Sequence, residues 1–162
     1  MLFVPVKSKR SSSKSAKLSH LDSEGNARMV AVGAKPVQHR IATAQGSLVC
    51  QAATIRLLKK RALPKGDVLT VAQIAGIQAA KATATLIPLC HPLPLSHVEI
   101  NFVIRRTSIE ICCKAETHAQ TGVEMEALTG VSIAALTLYD MCKAVDKTMH
   151  IEGVRVIEKI KS

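Results

Sequence analysis

A chain of 162 residues with 48% hydrophobic content supports one ordinary core and excludes two full domains. Phe3, Phe102 and Tyr139 are its only aromatic residues, which leaves Ala, Val, Ile and Leu to fill the core and excludes base-stacking platforms of the kind that grip single-stranded nucleic acid. Lys and Arg number 22 against 12 Asp and Glu, a balance that attracts polyanions such as phosphorylated metabolites.

The excess charge is unevenly placed. Lys7, Lys9, Arg10, Lys14 and Lys17 lie in an acid-free, serine-rich leader, and residues 1–17 read as a disordered basic segment that adds nothing to a core. A nucleic-acid arm is one meaning of such a run; a solubilising tail or the remnant of a targeting segment is another. Residues 18–162 read as a single domain.

Along that domain the first signals are a turn at Ser23–Asn26 and a short strand at Met29–Val32. Val37–Val49 has the β-branched content of a strand. Ala52–Leu63 predicts a short helix with a cationic last turn, broken at Pro64-Lys65-Gly66-Asp67. Asp67 then caps an alanine-rich helix over Val68–Thr85, which Gly76 is expected to interrupt. Leu86–Leu95 carries three prolines between apolar residues and predicts a rigid, largely buried connection. From His97 apolar residues alternate at period two through Ile104, a turn follows at Arg105–Ser108, and Ile109–His118 repeats the alternation as the second arm of a hairpin. Val123–Ala144 predicts a second long helix, and Gly153–Ile160 a last strand. The order strand, helix, strand, strand, helix, strand is that of an α+β, ferredoxin-like antiparallel sheet with helices packed on one face. Val and Ile on the uncovered face are expected to serve subunit packing.

Cys50, Cys90, Cys112, Cys113 and Cys142 form no Cys-x-x-Cys pair and read as small buried side chains in a reducing compartment. No run approaches the roughly 18 apolar residues of a membrane span, and no convincing signal peptide is present. The expected setting is cytoplasmic, with organellar targeting left open and no membrane partner.

Four clusters can carry chemistry. Lys65, beside Gly66 and just ahead of a helix, can hold a phosphate, although a plain turn with a helix cap explains the same letters. His91, fixed between Cys90 and Pro92, is either a satisfied core group or a preorganised proton-transfer or phosphate-contacting group; Cys90, as its immediate neighbour, is badly placed to form a nucleophilic dyad with it. Glu124 and Glu126 open the second long helix on different faces. Asp140 and Lys143, three residues apart on one face of an apolar helix, are either a surface ion pair or, if partly buried, a pair that trades a proton near neutral pH. No His-x-x-x-His set, no dinucleotide-binding glycine motif and no cluster-binding cysteine set occurs, so neither metal nor redox cofactor is expected.

The runs Leu86 to Leu95 with the following Ser96 (LIPLCHPLPLS), Thr121 to Thr129 (TGVEMEALT) and Ala135 to Val145 (ALTLYDMCKAV), together with Met29-Val30, Lys65-Gly66-Asp67-Val68 and Ala75 to Lys81, closely resemble the MoaC family of molybdenum cofactor biosynthesis. The resemblance covers about Leu18 to Lys159. It implies a ferredoxin-like catalytic subunit in a homohexamer, a trimer of dimers, with sites at subunit interfaces and neither metal nor organic cofactor. The implied substrate is a phosphorylated, purine-derived small molecule: (8S)-3′,8-cyclo-7,8-dihydroguanosine 5′-triphosphate, rearranged to cyclic pyranopterin monophosphate with release of pyrophosphate.

Residue by residue, Lys35, Lys65, His91, Glu124, Glu126, Asp140 and Lys143 match the family's pocket. Lys35, Lys65 and His91 are then expected to bind the triphosphate and Asp140 with Lys143 to do acid–base work. Glu126, and Glu124 beside it, are expected to bind guanine-derived N–H donors or to position Lys143. The chain departs from the family pattern at Ala31, where an aspartate is common, and after Lys159, where a Gly-Gly-Lys-Ser-Gly-like tail is usual and a phosphate contact is expected to be lost. The competing classes are a non-catalytic ferredoxin-like module that binds a nucleotide and a nucleic-acid binder; the second is disfavoured because the basic residues lack interleaved aromatics.

Overall fold

A computed structural model of the chain describes residues 20–22 and 24–162; the predicted leader at 1–17 lies outside them. The chain divides into two compact units, the first ending at Val30 and the second spanning Ala31–Ser162. In the first, the described residues of the expected turn, Glu24–Asn26, do turn the chain: the Asp22 carboxylate accepts from the Glu24 and Asn26 amides at 2.9 and 2.8 Å, Gly25 takes φ +87°, and Leu21 bridges Ala27. The strand expected at Met29–Val32 does not form. That segment makes no ladder with another strand, and the Val32 carbonyl instead accepts from the Lys35 amide in a turn.

The second unit runs β1 (Gln38–Val49), α1 (Ala52–Lys59), α2 (Val68–Lys81), α3 (Thr83–Leu86), β2 (Leu95–Ile104), β3 (Ser108–Ala119), α4 (Glu124–Cys142) and β4 (His150–Lys161). The four strands form one antiparallel sheet in the order β2-β3-β1-β4, the ferredoxin-like arrangement read from the sequence. Ala42, Ala44 and Leu48 of β1, Ile109, Ile111, Cys113 and Ala115 of β3 and Ile100 of β2 are buried. Their neighbours along each strand belong to the other side of the sheet, because successive side chains of a strand point to opposite faces. α2 and α4 cover this apolar face.

The two helices meet at glycine. A Cβ on Gly76 would collide with Ile100 Cδ1 and stand 2.8 Å from the Gly130 carbonyl oxygen, and a Cβ on Gly130 would stand 2.7 Å from Cys113 Sγ. Gly76 therefore does not interrupt α2, which is continuous over 14 residues; it is where the backbones of α2 and α4 approach. Asp67 caps α2 as expected, accepting from the Thr70 amide at 3.2 Å.

Two further expectations change. The uncovered sheet face is mostly polar: His39, Thr43, Gln45, Asn101, Glu110, Lys114 and Glu116 stand on it, with His39 stacked on His118 at 4.6 Å. Exposed large apolar residues stand on it at Val103 and Ile160, and others lie on the helices at Val71, Ile74, Met125 and Leu136 and on β4 at Val154 and Ile157. The proline-rich connection is half-buried rather than largely buried, with Pro88, Pro92 and Pro94 exposed, because the prolines face water while Leu89, Cys90 and Leu93 turn inward. No helix among the described residues is long and apolar enough to cross a membrane.

Candidate active site

At the C-terminal end of α4 a carboxylate is held between two ammonium groups. Asp140 Oδ1 lies 2.6 Å from Lys143 Nζ and Oδ2 lies 2.5 Å from Lys65 Nζ, which also donates to the Asp140 carbonyl oxygen at 3.2 Å. Lys143 arrives one helical turn after Asp140. Lys65 arrives from the loop after α1, where Arg61 in the left-handed region (φ 52°) stops the helix and Gly66 (φ 84°) reverses the chain; the glycine beside Lys65 is thus required by the turn. Hydrogen bonds from Lys143 and then Lys65 hold the Asp140 carboxyl down at about 2, and the bond to Asp140 raises Lys143.

The partial burial expected of the Asp140–Lys143 pair is not met within the chain. Both side chains are 52% exposed, because they stand at the helix end, beyond the apolar turns that pack on the sheet. With water on one side and opposite charges in contact, the pair rests fully ionised and does not share a proton near neutral pH.

The other acids stand at the opposite end of α4. Glu124 is sixteen residues before Asp140, about 24 Å along the helix axis at 1.5 Å per residue. Its carboxylate folds over Gly122, where a Cβ would collide with it, and it forms an ion pair with Lys159 of β4. Burial works to raise the Glu124 carboxyl, but the Lys159 bond, with Arg40 nearby, leaves it lowered. Glu126, only 4% exposed, has an Oε2 without a hydrogen-bond partner, and burial pushes its carboxyl up, with Glu124 adding to the rise. Its field also contributes to raising the Cys90 thiol, after burial, which places the Cys90-His91 segment within electrostatic range of Glu126. The sheet register brings the remaining groups to this end: Arg40 pairs with Lys161, Ala42 with Lys159 and Leu95 with Thr117. The start of β1, the end of β4 and the connection bearing His91 therefore flank the start of α4. Lys35 is exposed on the turn three residues before β1.

The seven residues singled out in the sequence thus fall into two groups at opposite ends of the domain: Lys65, Asp140 and Lys143 at one, and Lys35, His91, Glu124 and Glu126 at the other. Glu126 is about 25 Å along α4 from Lys143, so it does not position the lysine of its own chain. Arg40 and Lys159 were not singled out, since a lone cation in a strand carries no local signal; only the register places Lys159 against Glu124. Arg40 donates from a terminal nitrogen to Gln38 Oε1 at 3.0 Å, while its buried Nε has no partner. Among the described residues no group of three or more His, Cys, Asp or Glu is arranged to hold a metal ion.

Comparison with known proteins points to one family. A model described as the MoaC family matches residues 29–162. The cyclic pyranopterin monophosphate synthase of Chloroflexus aggregans is 60% identical over 144 residues, covering 88% of this chain and 87% of its own length. The protein of the same name from Thermomicrobium roseum is 53% identical over 146 residues, covering 89% and 88%. A molybdenum cofactor biosynthesis bifunctional protein of Chlorobaculum tepidum is 56% identical over 140 residues, covering 86% of this chain and 45% of the longer protein.

Proposed function

The chain belongs to the MoaC family, and from that membership we propose that it catalyses the cyclic pyranopterin monophosphate synthase reaction. In this lyase step of molybdenum cofactor biosynthesis, (8S)-3′,8-cyclo-7,8-dihydroguanosine 5′-triphosphate is rearranged to cyclic pyranopterin monophosphate and pyrophosphate leaves. The observation that carries the reading is the Lys65–Asp140–Lys143 cluster. A carboxylate gripped by two ammonium groups is a resting state that a polyanion can displace: phosphate oxygens take over the lysines, and Asp140, relieved of the bonds that keep it ionised, becomes a stronger base. Lys143, kept protonated, is the matching acid. Cyclisation requires a sugar hydroxyl to meet phosphorus in line while charge accumulates on departing pyrophosphate, and fixed cations lower that barrier.

Glu126 supplies a different chemistry. An orphaned carboxylate oxygen in a buried setting is an acceptor for the N–H edge of a guanine-derived ring, while Lys35 and His91 at the same end bind phosphate. One substrate requires both groups together, and about 24 Å of helix separates them in one chain. The reading is therefore of sites shared between subunits in a homohexamer, a trimer of dimers, in which the Lys65 cluster of one copy faces the Glu126 cluster of another. Exposed Val71, Ile74, Met125 and Leu136 on the helices support burial against further copies. Five free cysteines support a reducing, cytoplasmic setting.

The test is incubation with the cyclic triphosphate, following pyrophosphate and pterin mass together. Lys143→Ala is expected to lose conversion by about a thousandfold or more while the assembly stays intact; product formation near the parent rate removes Lys143 from the mechanism.

A further inference from the structure

Asp146 belongs to neither cluster, yet it is shielded from water at 2% exposure. Its carboxylate is fully engaged. Oδ2 accepts from the Gln51 amide at 2.8 Å and the Thr54 hydroxyl at 2.9 Å; Oδ1 accepts from the Thr148 amide at 2.9 Å and hydroxyl at 2.8 Å. Burial opposes its ionisation, but these donors outweigh burial and hold the carboxyl at about 2. A buried, ionised carboxylate with every contact made is a rigid joint.

What the joint connects is specific. On one side, Asp146 follows Lys143 by three residues, through a turn closed by the Val145 and Asp146 amides on the Cys142 carbonyl at 2.9 and 3.2 Å. On the other, Gln51 and Thr54 open α1, an eight-residue helix whose N-cap residue makes no side-chain cap bond of its own. Such a helix is too short to hold its own position in water, and Asp146 supplies its missing cap from a distance in sequence. The far end of α1 leads directly into the loop that carries Lys65. One side chain therefore ties together the two segments that deliver Lys65 and Lys143 to Asp140.

We infer that Asp146 is a positioning residue: by fixing the start of α1 to the turn behind Lys143, it sets the place from which Lys65 reaches the Asp140–Lys143 pair. The geometric part stands on these contacts alone, whereas its catalytic consequence rests on the proposed reaction. Freed of the joint, α1 shifts at its cap, Lys65 moves with the loop, and the three-group cluster loosens although each of its members is intact.

The experiment compares the assembled parent protein with Asp146→Asn and Thr54→Val. An asparagine turns an amide N–H₂ toward donors, and the valine removes one donor at nearly constant volume. Competitive acetylation with peptide mapping reads Lys65 against Lys81 as an internal reference, with no substrate present. Lys65 is expected to react about threefold faster or more in Asp146→Asn, with a smaller gain in Thr54→Val, as its amine is freed from the hydrogen bonds to Asp140. With the cyclic triphosphate, kcat is expected to fall about tenfold or more in Asp146→Asn while KM moves less than about threefold; loss of stability alone leaves kcat unchanged below the melting transition.

Unchanged Lys65 labelling in a folded Asp146→Asn protein overturns the inference. If that variant does not fold, unchanged labelling in Thr54→Val does so. Altered labelling combined with a parent protein that turns over no substrate leaves the joint standing and refutes the reaction.

Discussion

Glu126 and Asp140 are both helical carboxylates, and their surroundings push them in opposite directions. Asp140, half-exposed and paired twice, is held at about 2; Glu126, buried with an orphaned oxygen, is raised. A raised acid stabilises the fold only while it carries its proton, so Glu126 costs stability as pH rises through its folded value, and the cost is absent below the ordinary range near 4.5. Glu126→Gln, neutral at every pH, is accordingly expected to raise stability at pH 7 by about 1 kcal/mol, with the gain vanishing below pH ~4, and to lower turnover. Denaturant melts at both pH values together with the pyrophosphate assay check it; an unchanged midpoint at pH 7 shows that the carboxylate is compensated. On the proposed function, the trade is the usual one at a site kept for chemistry rather than for stability. Its types and spacing were legible in the sequence, but the direction of each shift was not, because burial is a property of what packs over a residue.

At the scale of elements, the crossing of α2 and α4 carries the packing of the domain. Gly76 sits against the Gly130 carbonyl and Ile100, so a methyl there has only backbone and a tightly held side chain to push aside. Gly76→Ala gains about 1 kcal/mol of helix propensity and is expected still to destabilise the domain by about 2 kcal/mol, since overpacking outweighs propensity at a backbone contact. A chemical-denaturation midpoint equal to or above the parent's contradicts the crossing. Here the alternations in Val98–Ile104 and Ile109–Ala115 and the Asp67 cap were readable, because each is set by residues within a few positions, whereas the single helix expected over Val68–Thr85 breaks at Ala82 into α2 and α3. The meaning of Gly76 was not: a helix breaker and a contact glycine are the same letter until the partner helix is in place.

At the scale of the molecule, two charged groups stand at opposite ends of α4, and on the proposed function a single chain is incomplete for one substrate. If each site draws the Lys65–Asp140–Lys143 group from one copy and the Glu126 group from another, mixed assemblies of Lys143→Ala and Glu126→Gln regain activity that neither variant has alone. Random pairing of equal amounts restores about a quarter of parental sites, since half the pairs are mixed and each mixed pair has one intact site. Turnover after co-refolding measures this, and a mixture no more active than its components rules out shared sites. The sequence by itself determined the element order, the apolar faces and, through three uninterrupted motif runs, the family, because these depend on local spacing and residue type. Only the tertiary structure decided that the chosen charges divide into two groups, that Lys159 answers Glu124 and that Asp146 joins the two segments bearing Lys65 and Lys143. Those relations join residues as many as 95 positions apart, brought together by strand register and helix packing, which no local pattern encodes.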